Sequence, residues 1–109
     1  MNRKLSMPIA AAFLAMFLPT AAQSAEVGDA NAGLEFANSV CATCHSVDGK
    51  NTVSPKPEAP PFKTVASRSR TTRMSLNVWF RSPHPTMPNL ILDRVDEDDV
   101  IAYILSLKD

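Results

Sequence analysis

The chain has 109 residues, of which eleven are basic, eleven are acidic and 45% are hydrophobic. That length holds one small domain, and the balanced charge argues against a protein that grips nucleic acid by phosphate attraction. Three glycines, none in a glycine-rich loop, exclude a P-loop or a dinucleotide fingerprint, and the apolar fraction is too high for a disordered chain.

The N-terminus reads as a leader. Arg3 and Lys4 precede an apolar run over residues 7–18, Pro19 and Thr20 break it, and small residues follow. Charged, apolar, then cleavable is the order of a secretory signal, here residues 1–24 with the cut between 22 and 25. A cut after Ala22 puts Thr20 three residues before it, and one after Ser24 puts Ala22 there; one after Ala25 puts the larger Gln23 there. The competing reading is an uncleaved anchor, since no charge interrupts residues 5–25. Pro8, Pro19 and the short apolar core favour cleavage. No cysteine precedes Cys41, so a lipid anchor has no attachment point. The expected mature domain, residues 25–109, is then periplasmic; uncleaved, it stays membrane-anchored.

A domain this short buries only about 60–65% of its unfolded surface. Its aromatic residues are Phe36, Phe62, Trp79, Phe80 and Tyr103. Such a domain needs a disulfide, a metal or a cofactor at its centre.

A first helix is expected from an Asp29 cap to about Val40, with Ala30, Gly33, Phe36 and Ala37 on one apolar face. Residues 46–70 read as loop, because Pro55, Pro57, Pro60 and Pro61 deny a continuous helix. A second helix fits from about Thr72 to Arg81, with Leu76, Trp79 and Phe80 on one face. Residues 82–89 form a loop stiffened by three prolines. A last helix begins at an Asp96 cap and carries Val100, Tyr103, Ile104 and Leu107 as its apolar stripe. No period-2 alternation is long enough for a sheet, so the fold class is all-α.

The sharpest signal is Cys41-Ala42-Thr43-Cys44-His45, the CxxCH signature of covalent haem attachment. Residues three apart on a helical turn project the same way, so two thiols can form thioethers along one haem edge. The next residue, His45, can then bind iron. Three other readings compete. The pair could be a structural disulfide. A thioredoxin-type redox pair belongs beside a βαβ pattern, which is missing. Zinc held with His45 and His84 is disfavoured, because adjacent Cys44 and His45 cannot easily meet one tetrahedral ion.

The sixth iron ligand has three candidates. Met74 reads as helix filler and His84 as a loop histidine. Met87 precedes Pro88, whose fixed φ suits a stiff ligand loop, so Met87 is the expected ligand.

In this order of features the chain resembles a small class I cytochrome c over nearly all of residues 25–109. The carrying segments are the Gly33 helix, CATCH, APPF at 59–62, SLNVWF, HPTMPNL and VIAYILSLK. The resemblance implies three to five helices packed around one covalent haem c, held by Cys41 and Cys44, with His45 and Met87 on the iron. It also implies that the Pro60 carbonyl accepts the His45 Nδ1–H, and that Gly33 and Tyr103 meet where the first and last helices cross. Arg68 matches an arginine near a haem propionate, and Trp79 can donate its indole N–H to one. Read from the residues alone, Arg68 is equally a solvated loop charge, and Trp79 a lining of the pocket. Phe36 stands one position before the usual helix-one aromatic, where this chain has Ala37.

The expected function is single-electron transfer between redox protein partners by Fe(II)/Fe(III) cycling, with no catalytic residues. The chain is then a free carrier or the cytochrome subunit of a dehydrogenase. The alternative is a gas- or peroxide-binding haem protein with a displaceable distal ligand. Residues 49–92 hold seven basic residues against Glu58 alone, net +6, while residues 23–48 and 93–109 each carry −4. A basic face around the haem crevice, steering an acidic partner, is expected from this asymmetry.

Overall fold

The computed structural model describes residues 19–20 and 26–109. The leader expected over residues 1–24 lies almost wholly outside the described residues. Four helices make up the described fold: α1 (Ala30–Val40), α2 (Phe62–Ser67), α3 (Arg73–Phe80) and α4 (Arg94–Ser106). No strand occurs among the described residues, and no described helix is long and apolar enough to cross a membrane.

α1 begins where its cap dictates. The Asp29 carboxylate accepts the backbone N–H groups of Asn31 at 2.8 Å and Ala32 at 3.3 Å, two of the four that a helix start leaves unpaired. The Asp29 N–H itself donates to the Asp99 carboxylate at 2.7 Å, which ties the start of α1 to α4. Gly33 and Ala37 form the buried face. A Cβ on Gly33 would sit 2.0 Å from the Asp99 carbonyl oxygen and 2.9 Å from Tyr103 Cβ, so only glycine allows the two backbones this close. Among the described helices, α1 and α4 make the most extensive contact.

α4 is the hub, touching α1, α2 and α3. Its cap is Asp93, whose side chain accepts the Asp96 N–H at 2.9 Å, and not Asp96 as the sequence suggests. Four acids at 96–99 offered several plausible caps. The helix takes the earliest aspartate and puts Asp96 and Glu97 in the first turn, beside the positive end of the dipole. Val100 to Ile104 are all buried, a wider face than the expected stripe. Ile101 is 0% exposed. Burying such a side chain contributes about 1.5–3 kcal/mol.

α3 is closed by a full capping box: the Thr72 hydroxyl accepts the Ser75 N–H at 3.1 Å, and Ser75 Oγ accepts the Thr72 N–H at 2.9 Å. Leu76 is buried and Phe80 half-buried, but Trp79 lies off this face and is 56% exposed. α2 corrects the reading of residues 46–70 as unbroken loop. All four prolines precede it. Pro61 takes the cap position, where a missing N–H costs nothing, and Phe62 and Ala66 anchor the short helix in the core.

Candidate functional site

The CxxCH segment continues the spiral of α1. The Cys41 N–H donates to Ala37 O at 2.8 Å, and the N–H groups of Cys44 and His45 both donate to Cys41 O, at 3.1 and 2.9 Å. Cys41 and Cys44 therefore share one turn, and they form no disulfide. Burial pushes the Cys41 thiol up to about 11. It stays protonated at neutral pH, unlike the lowered thiol of a dithiol redox pair.

His45 is half-buried, its ring centroid 5.4 Å from that of Phe62. Its Nδ1 lies 2.7 Å from the Pro60 carbonyl oxygen. A carbonyl can only accept, so Nδ1 carries a proton, and in the neutral ring the lone pair is then on Nε2. The structure thus brings together Cys41, Cys44, His45 and Pro60. A hollow of 270 Å³ opens here, bordered by His45, Ala42, Val47 and Val53. A larger one of 530 Å³ lies elsewhere, between Phe80, Arg81 and Leu90–Leu92 above Glu97.

Met87 is half-buried in the loop between α3 and α4. Met74 is 77% exposed on α3, so it is even less part of a packed site than helix filler would be. His84 stacks on Trp79 with ring centroids 3.9 Å apart. Arg68 is exposed at the C-terminal end of α2.

The structure redraws the basic face. Lys63 pairs with Asp109, Arg73 Nη1 lies 3.6 Å from Asp98 Oδ1, and Arg81 Nε lies 3.2 Å from Glu97 Oε1. Three of the seven bases in residues 49–92 are therefore matched by acids of α4 and the C-terminus. The charge asymmetry along the sequence is in part the fold's own complementarity. Lys50, Lys56, Arg68 and Arg70 remain exposed outside these pairs.

Sequence reasoning missed the turn after the histidine. Asp48 Oδ1 accepts the N–H groups of Lys50 and Asn51, each at 2.9 Å, and these bonds hold its carboxyl below the usual range. Asp48-Gly49 is a legible turn signal for this. The Tyr103 hydroxyl donates to Val47 O, fastening the turn to α4. Burial, and secondarily the Asp48 charge, pushes the Tyr103 phenol up, so it remains a donor.

Two free thiols on one turn, next to an imidazole whose Nδ1–H is taken up by a carbonyl, are the donor set that covalent haem attachment requires. Such a site on an all-α shell defines a small haem-binding protein. The cytochrome c family model matches residues 30–108. Cytochrome c-552 of Bradyrhizobium diazoefficiens is 34% identical over 95 residues, 87% of this chain and 90% of that protein. No solved structure matches the chain. The chain belongs to the cytochrome c family and carries covalently bound haem c in the service of electron transport.

Proposed function

We propose that the chain is a periplasmic monohaem carrier of single electrons, with His45 Nε2 and Met87 Sδ as the two axial donors to iron. The observation that carries this reading is the 2.7 Å contact between His45 Nδ1 and Pro60 O. It fixes the tautomer that leaves Nε2 free, and a hydrogen bond at Nδ1 strengthens the imidazole as a donor. Haem, when bound, supplies the one-electron Fe(II)/Fe(III) couple.

The chain's own residues do the rest. The Cys41 and Cys44 thiols take the thioether bonds, which makes the attachment permanent. Pro60 holds the ring of His45 by its carbonyl. Met87 offers a neutral thioether, which favours the ferrous state relative to an anionic ligand. Arg68 and Trp79 are assigned to the propionate edge of the haem. With His45 and Met87 both holding the iron there would be no open site for substrate, which suits a carrier better than an enzyme, whether free or docked as a dehydrogenase subunit. Residues 1–24 serve as the cleaved export signal, and Lys50, Lys56 and Arg70, exposed and outside ion pairs, steer redox partners. With three bases already matched, the association rate should fall only modestly with salt.

One observation favours the alternative of a gas- or peroxide-binding haem. Among the described residues, no hydrogen bond holds residues 83–92 to the rest of the chain. An absorption spectrum of the holoprotein, with and without carbon monoxide, separates the two. The carrier shows a low-spin spectrum with a weak methionine–iron band at the red end, and the ferrous form is unmoved by carbon monoxide. A high-spin spectrum that shifts with carbon monoxide would replace the carrier with the gas-binding reading.

A further inference from the structure

Residues 44–46 are laced to residues 54–62 by four hydrogen bonds. The Lys56 N–H donates to Cys44 O at 3.2 Å, and the Phe62 N–H donates to Ser46 O at 2.9 Å. His45 Nδ1 donates to Pro60 O at 2.7 Å. The Ser46 N–H donates to Ser54 Oγ at 3.0 Å. In three of the four, the partner on the 54–62 side is backbone, an N–H of Lys56 or Phe62 that any residue but proline supplies, or the Pro60 carbonyl. Only Ser54 contributes a side chain, and both Ser46 and Ser54 are buried.

The Ser46 N–H belongs to the peptide plane directly after His45. Its orientation fixes the backbone torsion from which the imidazole projects. Removing Ser54 Oγ would leave a buried N–H without a partner, and that plane would turn to find one. The imidazole would turn with it, away from Pro60 O.

We infer that Ser54 is a positioning residue for the iron ligand: its hydroxyl orients the His45–Ser46 peptide so that Nδ1 meets Pro60 O and Nε2 is aimed at the metal. The inference rests on His45 being that ligand. A weaker Nδ1–H bond makes the imidazole a poorer donor, which costs ferric iron more than ferrous and raises the potential.

The test uses the holoprotein. Ser54→Ala is compared with wild type and with Asp29→Ala, which loses the cap at the end of α1 opposite Cys41 and serves as a stability control. Two quantities are read: the midpoint potential by redox titration, and solvent exchange of the His45 Nδ1–H by NMR. In Ser54→Ala the potential should rise and the exchange should quicken roughly tenfold, as loss of one buried hydrogen bond allows. Asp29→Ala should change neither. Wild-type values in Ser54→Ala, or equal changes in Asp29→Ala, would overturn the inference. Should Ser54→Ala fail to fold, the wild-type holoprotein still decides. The Ser46 amide should be among its protected amides, and rapid exchange there would contradict the bond. If the ferric wild type shows no paramagnetically shifted His45 ring resonances, the ligand assignment itself falls. Shifted resonances with an indifferent Ser54 variant would remove the positioning role alone.

Discussion

Residues 44–46 share four hydrogen bonds with residues 54–62, and the loop that carries Met87 shares none with the rest of the described residues. The first segment is built by pairing. Ser46 at its centre is buried, and each of its backbone groups would cost about 1–3 kcal/mol if left unsatisfied. The second is built by restriction. Pro83, Pro85 and Pro88 limit the unfolded loop, and one aromatic stack, Trp79 on His84, adds a contact. A ligand held the first way should stay put. A ligand held the second way should be the one that dissociates, so under the proposed ligation by His45 and Met87 the two donors should differ in lability.

The largest change comes from removing the anchor of the paired side. Cys41→Ala or Cys44→Ala should leave mostly unfolded, proteolysed chain, because a core whose largest fully buried side chains are Ile101 and Val100 is too thin alone. Circular dichroism and haem staining check this, and a helical, folded apoprotein would contradict it. Next is the crossing from which the paired segment hangs. Gly33→Ala places a methyl 2.0 Å from Asp99 O, so α1 and α4 must move apart. A loss of about 3 kcal/mol in denaturant unfolding is expected, the upper end for overpacking. A loss below the few tenths typical of a surface change would show that the crossing is looser than it looks.

The restricted side should answer to smaller changes. Pro85→Ala frees the unfolded loop and should weaken it by about 0.4–1 kcal/mol. Binding of an added ligand such as imidazole to the ferric protein should then tighten about two- to fivefold, while global stability barely moves. An unchanged affinity would mean that something other than proline stiffness holds Met87. The smallest effect is set by pH. The Asn51 and Lys50 N–H groups hold the Asp48 carboxyl below its ordinary 3.8, so the folded state keeps it ionised longer than the unfolded state does. Its contribution is therefore present above 3.8 and lost as pH falls through the lower folded value. Asp96 runs the other way, raised first by desolvation and then by Asp93 and Asp99, and relieves strain as acid protonates it. Acid titration of Asp48→Asn should thus show a flatter loss of stability at the low end than wild type. An identical slope would mean that the turn after His45 does not depend on its carboxylate.

The paired side was half legible in sequence. CxxCH names its own chemistry, and Asp29 and Thr72 stand where helix caps must. α2 was hidden because four prolines dominate the reading of residues 46–70, although each lies before Phe62 and none inside the helix. The cap of α4 was misplaced because 96–99 are all acidic, and which acid caps depends on where the chain leaves the preceding loop. Ser54 carries no signal at all. A serine between Val53 and Pro55 is unremarked until folding puts it beside the Ser46 N–H, eight residues earlier. The ion pairs Arg73–Asp98 and Arg81–Glu97 were invisible for the same reason, and counting charge along the chain overstated the basic face.

The proposed pairing of a labile Met87 with a fixed His45 is tested most directly by proton NMR of the ferrous holoprotein. A methionine methyl bound over the haem sits in the ring current and resonates upfield of every other methyl. That three-proton line should be present in wild type, unchanged in Met74→Ala, and absent in Met87→Ala, which should still carry covalent haem through Cys41 and Cys44. If the line survives in Met87→Ala, or vanishes in Met74→Ala, the distal ligand is not Met87 and the contrast between the two sides of the iron fails.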